Sequence, residues 1–166
     1  MHLKAKQYIK QLDLKKHPEG GYFREIYRSG ELILPKYLPK RYKSSRNFST
    51  SIYFLLEGKQ FSSFHRLQSD ELWHFYDGSN VLVYIIDEIG NLSVKRLGKG
   101  KGYQFQLIIE KQNWFAAEVE FKKSFSLFGC TVSPGFEFED FELGKRKILI
   151  KDFPQHRNLI KRLTNQ

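Results

Sequence analysis

Residues 58–78, GKQFSSFHRLQSDELWHFYDG, decide the fold. A strand carrying His65 turns through Gln68, Ser69 and Asp70, which supply turn chemistry, and returns as a second strand carrying Glu71. Gly58 and Gly78 bracket the pair, so the block reads as a β-hairpin. Residues two apart on a strand share a face. His65 therefore falls with Ser63, and Glu71 with Trp73 and Phe75, while His74, three residues from Glu71, falls on the opposite face. An imidazole, a carboxylate and an aromatic wall are expected on one side of one hairpin.

The neighbouring segments extend this pattern. Leu3, Tyr8, Ile9 and Leu12 recur at helical intervals and predict a short opening helix over 2–12. His17-Pro18-Glu19-Gly20-Gly21 breaks it, its glycines supplying a tight turn into a strand over 22–28. Residues 30–45, with two prolines and many lysines, read as a loop. Further strands are expected over 48–57, over 81–87 and 92–97 around the turn Glu88-Ile89-Gly90-Asn91, and over 104–110, 114–119 and 124–132. Together they suffice for a two-layer barrel. The run Gly135-Phe136-Glu137-Phe138-Glu139-Asp140-Phe141-Glu142 alternates at strand period, and its phenylalanines read as core or dimer contacts. Residues 143–150 and 154–163 read as helices, with Pro154 in an acceptable first-turn position.

Length and composition agree with a single β-rich domain. The chain has 166 residues, enough to bury one core, and its 15 Phe and 9 Tyr favour strands. No apolar run approaches a membrane span and the first residues lack the apolar centre of a signal peptide, so a soluble cytoplasmic protein is expected. Cys130 is the only cysteine, which leaves no intrachain disulfide. The net charge of +10 permits attraction to polyanions. Its carriers, however, scatter over Lys36 to Arg46, Lys95 to Lys101 and Lys145 to Lys151, with no nucleic-acid module beside them. They read as a solvated surface, with nucleic acid not expected as a partner.

Five separated strings, HPEGGYFREIYRS, TSIYFLLEG, SSFHRLQSDELWHFYDG, FGCTVSPGFEFEDFELG and PQHRNLIKRLT, resemble in order a branch of single-domain cupins catalogued as a domain of unknown function. The resemblance implies an all-β fold, the cupin double-stranded β-helix or jelly-roll barrel, spanning 1–166 with short helices at both ends. It also implies a homodimer with a ligand cavity inside the barrel. It implies no settled reaction, because one fold hosts many. Cupins that hold a metal supply two histidines and a carboxylate from the first motif and one histidine from the second. Here Leu67 stands in place of the second histidine and Phe115 in place of the last, so no metal and no other cofactor is expected.

A metal-free pocket is the reading that remains. His65, Glu71 and Tyr53 are the expected catalytic residues: a base, a carboxyl that orients it and a hydroxyl that returns a proton, as in metal-free cupin epimerases. Glu25, Tyr27, Ser63, Trp73 and Gln106 are the expected ligand contacts, suited to a small polar, sugar-like or sugar-nucleotide-like molecule. Isomerase or epimerase chemistry and ligand binding without turnover are both compatible with this lining. A polyanion-binding module is the third and weakest reading.

Overall fold

The computed structural model describes residues 2–165. Helix α1 (Leu3–Gln11) leads into β1 (Lys15–Lys16) and β2 (Tyr22–Arg28), after which β3 (Leu32–Ile33) and β4 (Arg46–Asn47) clip the ends of the basic loop together. Eight strands follow: β5 (Thr50–Glu57), β6 (Phe61–Leu67), β7 (Asp70–Gly78), β8 (Val81–Ile86), β9 (Leu92–Leu97), β10 (Gln106–Ile109), β11 (Trp114–Val119) and β12 (Phe125–Ser133). A short β13 (Phe141–Leu143) and helices α2 (Arg146–Asp152) and α3 (Arg157–Arg162) complete the described chain.

The strands form two sheets. One runs β1-β2-β5-β12-β7-β10 and the other β13-β6-β11-β8-β9, with antiparallel pairing inside each. Consecutive strands β6 and β7 lie in different sheets, so the hairpin expected over 58–78 is a corner that carries the chain between layers. This is the jelly-roll solution to edge strands. Alternation along each strand sends Phe54, Leu56, Trp73, Val83, Phe115 and Phe128 into the space between the sheets. The outer faces are covered separately: Leu55, Phe125 and Leu127 pack under α1 with Ala5, and Phe64, Ile86 and Ala116 pack under α2 and α3 with Leu149 and Ile160.

Residues 135–142 do not form the single strand that their alternation predicts. Phe138–Asp140 is one turn of 3₁₀ helix, and only Phe141–Leu143 pairs, with β6. Phe136 and Phe141 pack inward on the barrel core, the first of the two roles that their alternation allows. The segment arches over one end of the barrel and is pinned by Arg46. That side chain is fully buried, and its Nε and Nη2 donate to Asp140 Oδ2 at 2.6 Å and Oδ1 at 2.7 Å. A bidentate, charge-assisted pair of this kind fixes position as well as adding energy.

Candidate functional site

The arch, the turn at His17–Gly21 and the inner faces of β2, β5, β6, β7 and β12 enclose a cavity of about 90 Å³. A single water needs roughly 10–15 Å³ on such a measure, so the space suits a small organic molecule or several waters. Phe23, Phe54, Leu67, Trp73 and Phe141 give it apolar walls, and His17, Glu19, His65 and Glu71 bring titratable groups into them.

His65 is positioned by a bulge. Phe115 pairs with His65 and Ala117 with Ser62, so two residues of β6, Ser63 and Phe64, oppose one of β11, Ala116. The extra residue changes the parity of β6, and Ser62, not Ser63, shares the inward face with His65. Ser62 Oγ donates to Glu19 Oε1 at 2.7 Å, and Glu19 Oε2 lies 3.1 Å from His65 Nε2. Glu19 reaches this place because Gly20 and Gly21 take φ of +117° and +71°. A Cβ on Gly20 would stand 2.1 Å from the Phe61 carbonyl oxygen, so only glycine lets the turn lie against β6.

The hydrogen bonds locate the protons. A carbonyl only accepts, so the 2.7 Å contact between His65 Nδ1 and Ser63 O requires a proton on Nδ1. Burial, with a smaller contribution from nearby His17, holds the imidazolium pKa down at about 3, so His65 is neutral and Nε2 carries only a lone pair. Burial, and then the charge of Glu71, raise the Glu19 carboxyl well above its ordinary range. The proton between the two residues therefore belongs to Glu19, which donates it to His65 Nε2. His17 is also neutral, its pKa lowered by burial to about 4, and its Nδ1 accepts the Glu19 backbone N–H at 3.3 Å.

Glu71 is the second carboxyl. Burial raises its pKa to about 7, with the Trp73 indole and the Cys130 thiol partly offsetting that rise. Although Trp73 lies beside the carboxyl, neither Glu71 Oε2 nor Trp73 Nε1 has a hydrogen-bond partner in the structure. Unpaired buried polar atoms are uncommon and ask for an explanation.

Of the residues expected at the site, His65, Glu71, Trp73 and Glu25 line the cavity. Tyr53 does not. Thr50, Ile52 and Phe54 are the β5 residues on the cavity wall, and Tyr53 packs on the other face, beneath α1 and against Tyr76. Tyr27 is also outside, because a bulge between Glu25 and Tyr27 places Glu25 opposite inward Ile52 but Tyr27 opposite Ser51, leaving Tyr27 55% exposed. Gln106 pairs with His74 on the outer face, and Leu107, opposite Trp73, takes the inward place. Ser63 contributes its carbonyl to His65, while its hydroxyl is buried outside the lining. Trp73 does not offer an open ring for stacking on both sides, since Phe128 stacks on it at 4.5 Å. His17 and Glu19 were expected only to form a turn. A polar pair immediately before a Gly-Gly that must adopt positive φ is the sequence signal for their position.

A metal does not fit these residues. Leu67 and Phe115 are buried apolar side chains, and the Phe115 ring lies 4.0 Å from that of His65. His65 Nε2 is occupied by Glu19 and His17 Nδ1 by a backbone N–H. Among the described residues no three His, Cys, Asp or Glu side chains converge to hold an ion.

Comparison with known proteins supports the architecture. A family model described as cupin superfamily (DUF985) matches residues 6–144. A crystal structure of a protein from Shewanella oneidensis superposes with a TM-score of 0.88 at 37% identity, covering 97% of both chains. A hypothetical protein from Leishmania major gives 0.86 at 29% identity, covering 98% of this chain and 99% of that one. Oxalate decarboxylase from Bacillus subtilis shares the fold alone: TM-score 0.56, 16% identity, 93% of this chain and 40% of that one. No curated protein matches the sequence.

Proposed function

This chain belongs to the cupin superfamily, in the DUF985 branch, and from that premise we propose that its cavity binds a small polar molecule and moves protons on it, as an isomerase or epimerase does, without a metal. The observation that carries this reading is the pairing of two differently tuned acids in one cavity. Glu71, with a pKa of about 7, is divided between acid and base near neutral pH, where a general base works best. Glu19 holds a proton against His65 and is an acid under the same conditions. Environments that push two carboxyls into different protonation states assign them different roles.

The roles differ from those expected from the sequence. With a pKa of about 3 and its Nε2 lone pair already accepting the Glu19 proton, His65 is a poor base. Glu71 takes the proton from a carbon next to a carbonyl, and Glu19 gives its proton to the carbonyl oxygen, which yields an enol. Return of the proton from Glu71 to a different carbon or face, while an enol hydroxyl gives its proton back to Glu19, restores the carbonyl and both carboxyls and completes the isomerisation. His65 positions the Glu19 proton and takes up the change in hydrogen bonding when it leaves.

A second reading, binding without turnover, is favoured by the placement of Tyr53 outside the barrel, which removes the expected hydroxyl acid. The two separate in deuterium oxide. Incubation with a panel of aldoses and ketoses, followed by proton NMR, should show wild type catalysing deuterium incorporation next to the carbonyl. Glu71→Gln should lower that rate by roughly 10²–10⁴-fold while remaining folded. His156 meets the Gly90 carbonyl oxygen and does not line the cavity, so His156→Ala should match wild type. Binding of a sugar with no exchange above the Glu71→Gln background would replace the enzymatic reading with the binding one.

A further inference from the structure

The cavity's charges and its two unpaired atoms restrict what it admits. Glu25, Glu71 and Glu137 line it beside the neutral Glu19 carboxyl, against one cation among the described residues, Arg28. Arginine has five N–H donors, and those of Arg28 are all engaged. Nε and Nη2 donate to the two oxygens of Glu25 at 3.0 and 2.8 Å, Nη1 to Glu137 at 2.5 Å and Asn47 at 2.9 Å, and Nη2 also to the Phe136 carbonyl at 3.2 Å. No donor is left over for a phosphate or carboxylate. An anionic ligand would meet carboxyls without a free counter-charge, although the whole chain carries +10.

At the buried end, Glu71 and Trp73 lie two apart on β7 and so on one face. Both are more than nine-tenths buried, and both contribute an unpaired atom, Oε2 and Nε1. Indole N–H is a donor only, so whatever fills this place must accept. An ammonium cannot accept. A phosphate accepts but brings charge against the carboxyls. A hydroxyl accepts from Trp73 and at the same time donates to Glu71.

Resting on the acid–base reading of this cavity, we infer that its substrate is an uncharged, sugar-like α-hydroxycarbonyl whose hydroxyl bridges Trp73 Nε1 and Glu71 Oε2, and that phosphorylated sugars and sugars with an ammonium in place of that hydroxyl are excluded. The bridged hydroxyl sits on the carbon beside the carbonyl, which brings the C–H of that carbon to the carboxyl that removes its proton. Sugar nucleotides, which the resemblance to metal-free cupin epimerases allows, fall outside this class.

The test uses ¹⁵N-labelled full-length protein and follows the indole N–H signals of Trp73 and Trp114, assigned with Trp73→Phe. The probes are D-ribose, D-xylose and erythrose, with D-ribose 5-phosphate and D-glucosamine as the charged comparators. At least one neutral sugar should shift the Trp73 indole saturably and leave Trp114 unmoved. The charged probes should bind more weakly by about tenfold or more. Trp73→Phe, which keeps the packing, should weaken the sugar by roughly 3- to 10-fold, the size of one neutral hydrogen bond. A charged probe that binds as tightly as the neutral ones overturns the inference. So does a neutral sugar that shifts His65 but not Trp73, and in that case the acid–base reading survives. Silence of both residues across all neutral sugars also overturns it. The acid–base reading falls separately, when a bound sugar shows no Glu71-dependent deuterium exchange.

Discussion

Glu19 Oε2 and His65 Nε2 lie 3.1 Å apart, and the one proton on the neutral imidazole is committed to the Ser63 carbonyl on the other side of the ring. The contact is therefore made by a protonated carboxyl, and Glu19 is held as a neutral hydrogen-bond donor. Glu19→Gln, whose amide N–H donates in the same direction, should cost under about 1 kcal/mol in urea unfolding. Glu19→Ala strands His65 Nε2 and the Ser62 hydroxyl and should cost about 1–3 kcal/mol. Equal losses in the two variants would show that Glu19 is ionised.

Stability should fall on both sides of a plateau, with a different pair of residues behind each limb. Glu71 has a folded pKa of about 7, above its ordinary 4.5, so its contribution is present below pH 4.5 and is lost as pH rises to about 7. Glu19 is raised in the same direction. His65 and His17 have folded pKa values of about 3 and 4, below the ordinary 6.5, so their contribution is present above 6.5 and is lost as pH falls through those values. Between 4.5 and 6.5 the two trends oppose one another. Measured against Glu71→Gln, wild type should lose on the order of 3 kcal/mol of relative stability from pH 4.5 to 7. A pH-independent difference would contradict the raised pKa.

Gly20 carries the turn that delivers Glu19. At φ +117°, with a would-be Cβ 2.1 Å from the Phe61 carbonyl oxygen, Gly20→Ala should destabilise by at least about 1–3 kcal/mol and displace Glu19 from His65. Denaturant unfolding measures the first effect, and a change in the His65 ring shifts measures the second.

The strands were legible from alternation, which groups Glu71 with Trp73 on one face, and the cupin resemblance supplied the direction that turns them and His65 inward. Tyr53 was misplaced for a physical reason. β5 is apolar on both faces, one buried in the barrel and one beneath α1, so its parity leaves no trace in the residue types. Ser63 and Tyr27 follow from bulges, which shift parity without changing composition. The arch over 135–142 has a strand's alternation, but its phenylalanines reach the core from a 3₁₀ turn and a three-residue strand.

The Arg46–Asp140 pair holds that arch across the cavity mouth. Arg46→Met leaves Asp140 buried without its partner and should cost about 3–5 kcal/mol. The double variant Arg46→Met with Asp140→Leu should recover part of that loss. Thermal unfolding of both variants checks the order, and a double variant less stable than the single one would show that the pair is not the arch's main anchor.

The placement of the shared proton is tested most directly by long-range ¹H–¹⁵N NMR of the His65 ring across pH. The account predicts one proton, on Nδ1, an unprotonated Nε2, and no titration from about pH 8 to about pH 5. A ring protonated on Nε2, or one that gains a second proton near the ordinary value of about 6.5, would contradict it.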